Sequence, residues 1–370
     1  MENQRTKILC ICNCLLGNRT VTLVIKEALD SIKDIHSDYI FINPQDYIDY
    51  RVPQWKKLTG MTSELLYVVP QKTKNINLSN YDLVLIHGFE IGWALNNKVR
   101  DIPCIMLHDS TPILSHQLIC KYIYSNRLAK IRSLILIGLY KIFFRDIFSN
   151  IDQFFPMINL CQQSLIKDYS IPVKKVAEGT VAIKPNKCEA SKNKDNRAKI
   201  KLLFVGNDFK RKGGDFLFKV YSQVSDQCDL IIISNDKILD SMIFPSGVVH
   251  YKNISNEEIL NYFSVADIFI FPTLKEHLGY VQLEAMASGL PILSRDIGGV
   301  SDLIKDGYNG YLMPYNSSVN EWVRKIDYLI KHPQERRRMG DNSLLLVREK
   351  YNIENFTKTI HHAIEHLVEG

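Results

Sequence analysis

The feature that most constrains this chain is a regular alternation of short β-rich runs with longer helical patterns, sustained across its whole length. In the first half the runs are KILCIC (7–12), YIFIN (39–43), DLVLIHG (82–88), CIMLHD (104–109) and QFFPMI (153–158). In the second they are KLLFVGN (201–207), DLIIIS (229–234), VVHY (248–251), DIFIFP (267–272) and PILSR (291–295). Strands separated by helix-length segments pair in parallel through crossovers, which is the βαβ plan of an α/β protein. Several runs are apolar almost without interruption, as strands covered on both faces must be.

A chain of 370 residues is long for one such sheet and comfortable for two. Between the halves lies KPNKCEASKNKDNRAK (184–199), polar, lysine-rich and poor in core residues, with the composition of a linker. The expected organisation is therefore a domain over 1–183, a linker over 184–199 and a second domain over 200–351. Hydrophobic residues at 46% and charged residues at 23% exclude a disordered chain, and a net charge of +6 is too small for a dedicated nucleic-acid binder. Residues 1–9 hold no apolar stretch ahead of a small-residue cleavage site, so the expectation is a cytoplasmic protein with reduced thiols. Cys10, Cys12 and Cys14 alternate along the first run and would share one face as small core residues. The most lipophilic stretch, 131–148, is broken by Lys141, Arg145 and Asp146 and is too short to span a bilayer. Two readings of it stay open: a helix buried against the core, or one lying on the inner face of a membrane as a peripheral contact.

Open parallel sheets bind ligands beyond the carboxyl ends of their strands. The densest such region is FPTLKEHLGYVQLEAMASGLPILSRDIGG (271–299). A strand ends near Pro272, Glu276 sits in the loop, Gly279 opens a helix, and Glu284 lies within that helix. Backbone N–H groups around Leu278, Gly279 and Tyr280 would face a phosphate. The two glutamates would accept hydroxyls on either side of it, although acidic residues also suit any exposed helix start. In FVGNDFKRKGGD (204–215), Lys210, Arg211 and Lys212 precede a Gly213-Gly214 turn and can meet a diphosphate; a solvated basic turn is the alternative. In the first half, His108 and Asp109 fall at a strand end, with His87 on the neighbouring strand and His116 farther on. Gly17 and Arg19 follow the first strand. His361, His362 and His366 read as surface or packing residues, and no metal constellation is evident.

The 271–299 region resembles the E-x7-E segment of retaining glycosyltransferases of family 4, with Glu276 and Glu284 matching its glutamates and Gly298-Gly299 its continuation. The 204–215 loop resembles that family's G-R…K-G phosphate loop through Gly206 and Lys212, with Asn207 where many members have arginine and Arg211 as a substitute charge. Leu278 stands where many members have an aromatic residue. The resemblance implies a GT-B fold, two Rossmann-like doubly wound α/β domains, with a last helix (about 352–370) returning to the first. It implies a nucleoside-diphosphate sugar as donor and a glycan or lipid-linked hydroxyl as acceptor, with retention at the anomeric carbon. Glu276 would hold the donor sugar, Glu284 the ribose, Lys212 and Arg211 the diphosphate, and His108 the sugar near the reacting carbon. Gly17, Gly206, Asn207, Leu278, Gly279 and Tyr280 would line the donor. The family uses no metal for this, and a DxD pattern is not evident. Two alternatives share the fold: a nucleotide-sugar epimerase, and a catalytically inactive nucleotide-sugar-binding protein.

Overall fold

A computed structural model describes residues 5–15, 18–53, 61–122, 127–143, 146–178, 181–184 and 199–369. Gly17 and residues 185–198 of the expected linker lie outside the described residues. The chain divides into two compact units, Met1–Ala182 with Ile353–Gly370, and Ile183–Asn352.

The first unit is built on one five-stranded parallel sheet of order β2-β1-β3-β4-β5. Its strands are β1 (Thr6–Asn13), β2 (Ile35–Ile42), β3 (Leu83–His87), β4 (Cys104–His108) and β5 (Gln153–Pro156). The principal helices between them are α1 (Asn18–Asp30), α2 (Met61–Thr73), α3 (Phe89–Leu95), α4 (Pro112–Tyr122), α5 (Arg127–Phe143) and α6 (Asn159–Asp168). Every residue of β3 and β4 is buried, as their unbroken apolar runs require. β2 begins four residues earlier than the apolar run at 39–43, because its first half is polar and half exposed at the sheet edge. β1 ends at Asn13, so Cys10 and Cys12 lie in the core while Cys14 stands beyond the strand, its thiol 3.7 Å from the Thr22 hydroxyl.

The second unit carries a six-stranded parallel sheet of order β11-β10-β9-β6-β7-β8. It comprises β6 (Ile200–Val205), α7 (Gly214–Tyr221), β7 (Cys228–Ile233), β8 (Val248–Tyr251), α8 (Asn256–Val265), β9 (Ile268–Phe271), α9 (Tyr280–Ala287), β10 (Ile292–Arg295), β11 (Gly310–Met313), α10 (Val319–Lys331) and α11 (Pro333–Glu349). Four-residue β11 is too short and too glycine- and tyrosine-rich to announce itself as a strand. It exists because Gly310 lets its backbone press against the Ile292 carbonyl of β10, where a Cβ would collide. The last helix, α12 (Ile353–Glu369), buries Phe356, Ile360 and Ile364 at four-residue spacing and packs on α1 and β3, so it belongs to the first unit.

In each sheet the chain starts at an inner strand and winds first one way, then the other. The reversal falls between β1 and β3 in the first unit and between β6 and β9 in the second. At such a point the loops leaving two adjacent strands diverge and leave a crevice at the carboxyl edge.

Candidate functional site

The loops leaving β6 and β9 meet at the second unit's crevice. After β6 the chain runs through Gly206 and Asn207, adopts a positive φ of 59° at Asp208, and turns into α7 at Gly213. After β9 it runs through Glu276 to Gly279, which caps α9 in the left-handed conformation. Gly213 (φ 82°) and Gly298 (φ 59°) hold the second loop from both sides. A Cβ on Gly213 would collide with the Pro272 carbonyl oxygen, and one on Gly298 with the carbonyl oxygens of Glu276 and His277. Backbone hydrogen bonds complete the clasp: Leu274 N–H donates to the Arg211 carbonyl at 2.9 Å, and Gly299 N–H to the His277 carbonyl at 2.5 Å.

This clasp brings Lys212 and Glu276 into direct contact, Lys212 Nζ donating to a Glu276 carboxylate oxygen. Both side chains are 13% exposed, and the ammonium also sits 4.8 Å from the centre of the Phe271 ring. Burial by itself would raise the Glu276 pKa. The charges of Lys212, Arg211 and His277 outweigh it and hold the carboxyl below its ordinary value. Glu276 is therefore an acceptor-only carboxylate at neutral pH, suited to bind hydroxyls. Arg211 is committed to bracing: Nε donates to Asp208 at 2.6 Å and Nη1 to the Lys275 carbonyl at 2.8 Å. Asn207 Oδ1 accepts the Asn235 N–H at 2.7 Å and fixes the loop after β7. Gly206 faces the Lys212 stem, 3.5 Å from where its Cβ would stand. Leu278 is buried, whereas Tyr280 and Glu284 are half-buried on the first turns of α9. Helix starts direct backbone N–H groups and a partial positive charge outward. The carboxyl edge of this unit thus combines a cation, a helix N-terminus and two glutamates.

The first unit's crevice has a different character. His108 ends β4 with 2% exposure, its ring about 6 Å from those of Phe148 and Phe154. Its Nδ1 lies 2.8 Å from the Ser110 carbonyl, which requires a proton there and leaves the buried Nε2, which has no partner among the described residues, carrying the lone pair. Burial lowers its pKa to about 4 and that of His87 to about 3, so both rings are neutral at physiological pH. His87 Nδ1 is 3.4 Å from the Thr22 hydroxyl. His116 rests against Tyr140, and Arg19 is exposed on α1. Two residues overlooked in the sequence stand out. Glu90, three residues beyond His87, is 8% exposed, and burial, with Asp109 adding, raises its pKa to about 7. Inspecting the loop after every strand would have found it. Arg295 at the end of β10 is buried over the Phe216 ring at 4.8 Å and donates to the Tyr315 carbonyl. A cation in a strand otherwise free of charge was its signal.

Among the described residues one group could hold a metal ion, Asp34, His361 and Glu365 on the surface of the first unit, where the two carboxylates are exposed. No described helix is long and apolar enough to cross a membrane.

Residues 187–344 match the family described as glycosyl transferases group 1. A D-inositol 3-phosphate glycosyltransferase from Arthrobacter sp. is 30% identical over 156 residues, which are 38% of this chain and 37% of that protein. The chain spans less than half the length of the curated relatives it matches. Structural likeness extends further. Sucrose-phosphate synthase from Thermosynechococcus elongatus superposes with a TM-score of 0.74 at 17% identity, covering 99% of this chain and 100% of that one. HepE from Anabaena, solved with UDP-glucose, superposes with a TM-score of 0.65 at 14% identity, covering 98% and 100%. The fold is GT-B, two α/β units each with a parallel sheet.

Proposed function

We propose that this chain is a glycosyltransferase that moves a sugar, with retention, from a nucleoside-diphosphate sugar to a hydroxyl acceptor. The observation that carries the reading is the Lys212–Glu276 pair, clasped between two glycine turns beside the N-terminus of α9. A diphosphate needs compensating positive charge as its bond to the anomeric carbon breaks, and Lys212 with the helix start supplies it without a metal. Glu276 accepts sugar hydroxyls and Glu284 the ribose hydroxyls. The acceptor oxygen bonds to the anomeric carbon on the face from which the diphosphate departs. The acceptor proton passes to the departing oxygen, so a separate base is unnecessary. Sequence likeness over 187–344 and the UDP-glucose bound by a structural neighbour support this choice of donor.

One observation favours a second reading, a binding protein of the same fold. Asn207 stands where many members of the resembled family have arginine and is itself engaged by the Asn235 N–H, and Arg211 is engaged by Asp208 as Lys212 is by Glu276. Nucleoside diphosphate release, measured with and without an acceptor panel after a thermal-shift screen of donors, separates the two. Acceptor-dependent release supports transfer; tight donor binding with no turnover supports the binding protein. Under the transferase reading Lys212→Ala lowers kcat by about 10²–10³ with the fold intact. Glu276→Gln lowers it comparably. Rates near wild type in both would remove the site assignment.

A further inference from the structure

The two loops that form the second unit's clasp, 206–213 and 272–279, carry six Asp, Glu, Lys and Arg side chains. Four of them cancel in pairs. Lys212 is bound to Glu276, and Arg211 Nε donates to Asp208 at 2.6 Å. Asn207 adds no charge and accepts the Asn235 N–H. A diphosphate meeting these loops gains little net charge from the pairs, so the remaining cations decide the balance. Two remain, Lys210 and Lys275. Lys210 is exposed, where water and salt screen it. Lys275 is half-buried.

The backbone of Lys275 is held in place. Its carbonyl accepts Arg211 Nη1 at 2.8 Å and the Thr273 hydroxyl at 3.1 Å. The Leu274 N–H beside it donates to the Arg211 carbonyl at 2.9 Å. The side chain therefore leaves the chain inside the clasp, one residue before Glu276. Among the described residues its ammonium makes no hydrogen bond or ion pair. Burial, and after it the like charge of Arg211, lowers its pKa, and the charges of Asp208 and Glu276 do not make up the difference. All three charges act on it, so the ammonium lies close to the facing loop. A loop lysine is by default solvated. This one is half-buried on a fixed backbone, and what it lacks is an anion.

We propose that Lys275 is the second cation of the diphosphate site and provides the charge that position 207 does not. The inference rests on the nucleoside-diphosphate-sugar reading and names one further residue of it. Lys275 Nζ donates to a phosphate oxygen. As the bond to the anomeric carbon breaks, the charge gathering on the departing diphosphate is shared between Lys212 and Lys275, and Lys275 keeps its proton throughout.

Binding of UDP, GDP, ADP and dTDP to the full chain is measured by calorimetry. The wild type binds at least one of them. Lys275→Met keeps most of the stem and removes the charge; it weakens that binding on the order of tenfold to a hundredfold, while the ligand-free protein still unfolds cooperatively. Lys275→Arg restores most of the affinity. Lys219→Met removes an exposed charge from the last turn of α7 and changes affinity by less than about threefold. Equal affinities in wild type and Lys275→Met overturn the proposal and leave the donor reading standing. A loss that Lys275→Arg does not restore, or that Lys219→Met matches, overturns it as well. A wild type that binds none of these diphosphates overturns the donor reading and the proposal with it.

Discussion

The two carboxyl edges share a construction and differ in electrostatics. Each is a crevice where a parallel sheet reverses its winding order, between β1 and β3 in one unit and between β6 and β9 in the other. The second unit fills its crevice with charge held in place, Lys212 against Glu276, with Arg211 bracing the loop. The first fills its crevice with neutral histidines and a buried glutamate whose proton is held to about pH 7. One winding scheme thus carries held charge at one edge and buried, neutral rings with a raised-pKa carboxyl at the other. Folding alone does not choose between them; the few residues just past each strand do.

The contrast can be broken most sharply at Gly298. Gly298→Ala puts a Cβ against the Glu276 and His277 carbonyls at a positive φ, so the loop must move. A loss of about 2–4 kcal/mol in urea unfolding is expected, together with loss of donor-induced thermal stabilisation. Unchanged donor binding in this variant would show that the clasp does not set the site.

A medium effect of opposite sign is expected in the first unit. The Glu90 pKa is raised in the folded state, so its contribution to stability is full below the ordinary value of 4.5 and is lost as pH rises through about 7. Glu90→Gln removes that loss. Above neutrality the variant is more stable than wild type by about 2 kcal/mol, and near pH 4 the two converge. Urea titrations at both pH values check this. A variant less stable than wild type at high pH would mean that Glu90 is paired rather than strained.

Glu276 behaves in the reverse sense. Its pKa is depressed, so its stabilisation is present above 4.5 and falls away as pH drops through the lower folded value. The contrast in sign between Glu90 and Glu276 expresses the difference between the two crevices. The smallest effect belongs to Asn207→Ala, which removes the acceptor of the Asn235 N–H and costs about 1 kcal/mol. If transfer also fell by orders of magnitude, Asn207 would be acting on the donor and not only on its neighbour loop.

Local rules were enough for much of this. Unbroken apolar runs such as LVLIH and IFIF announce buried parallel strands, because only residues without polar side chains can be covered on both faces. Residue type and position alone mark Lys212 and Glu276 in the loops after such strands, and His108 at a strand end, as candidates for chemistry. Edge elements were harder. β2 and β11 are short or half-polar, and their pairing is decided by neighbours distant in sequence.

What the sequence by itself determined is the α/β class, the number of strands to within one, and the residue types available at each crevice. These follow from periodicity and from which side chains water rejects. Only the tertiary structure decided how those residues are used. Lys212 and Glu276 are sixty-four positions apart and touch because Gly213 and Gly298 admit backbone where any side chain would collide. Arg211 became a brace and Glu90 a carboxyl with a raised pKa for the same reason: ionisation and pairing depend on burial and on neighbours, which sequence distance does not record.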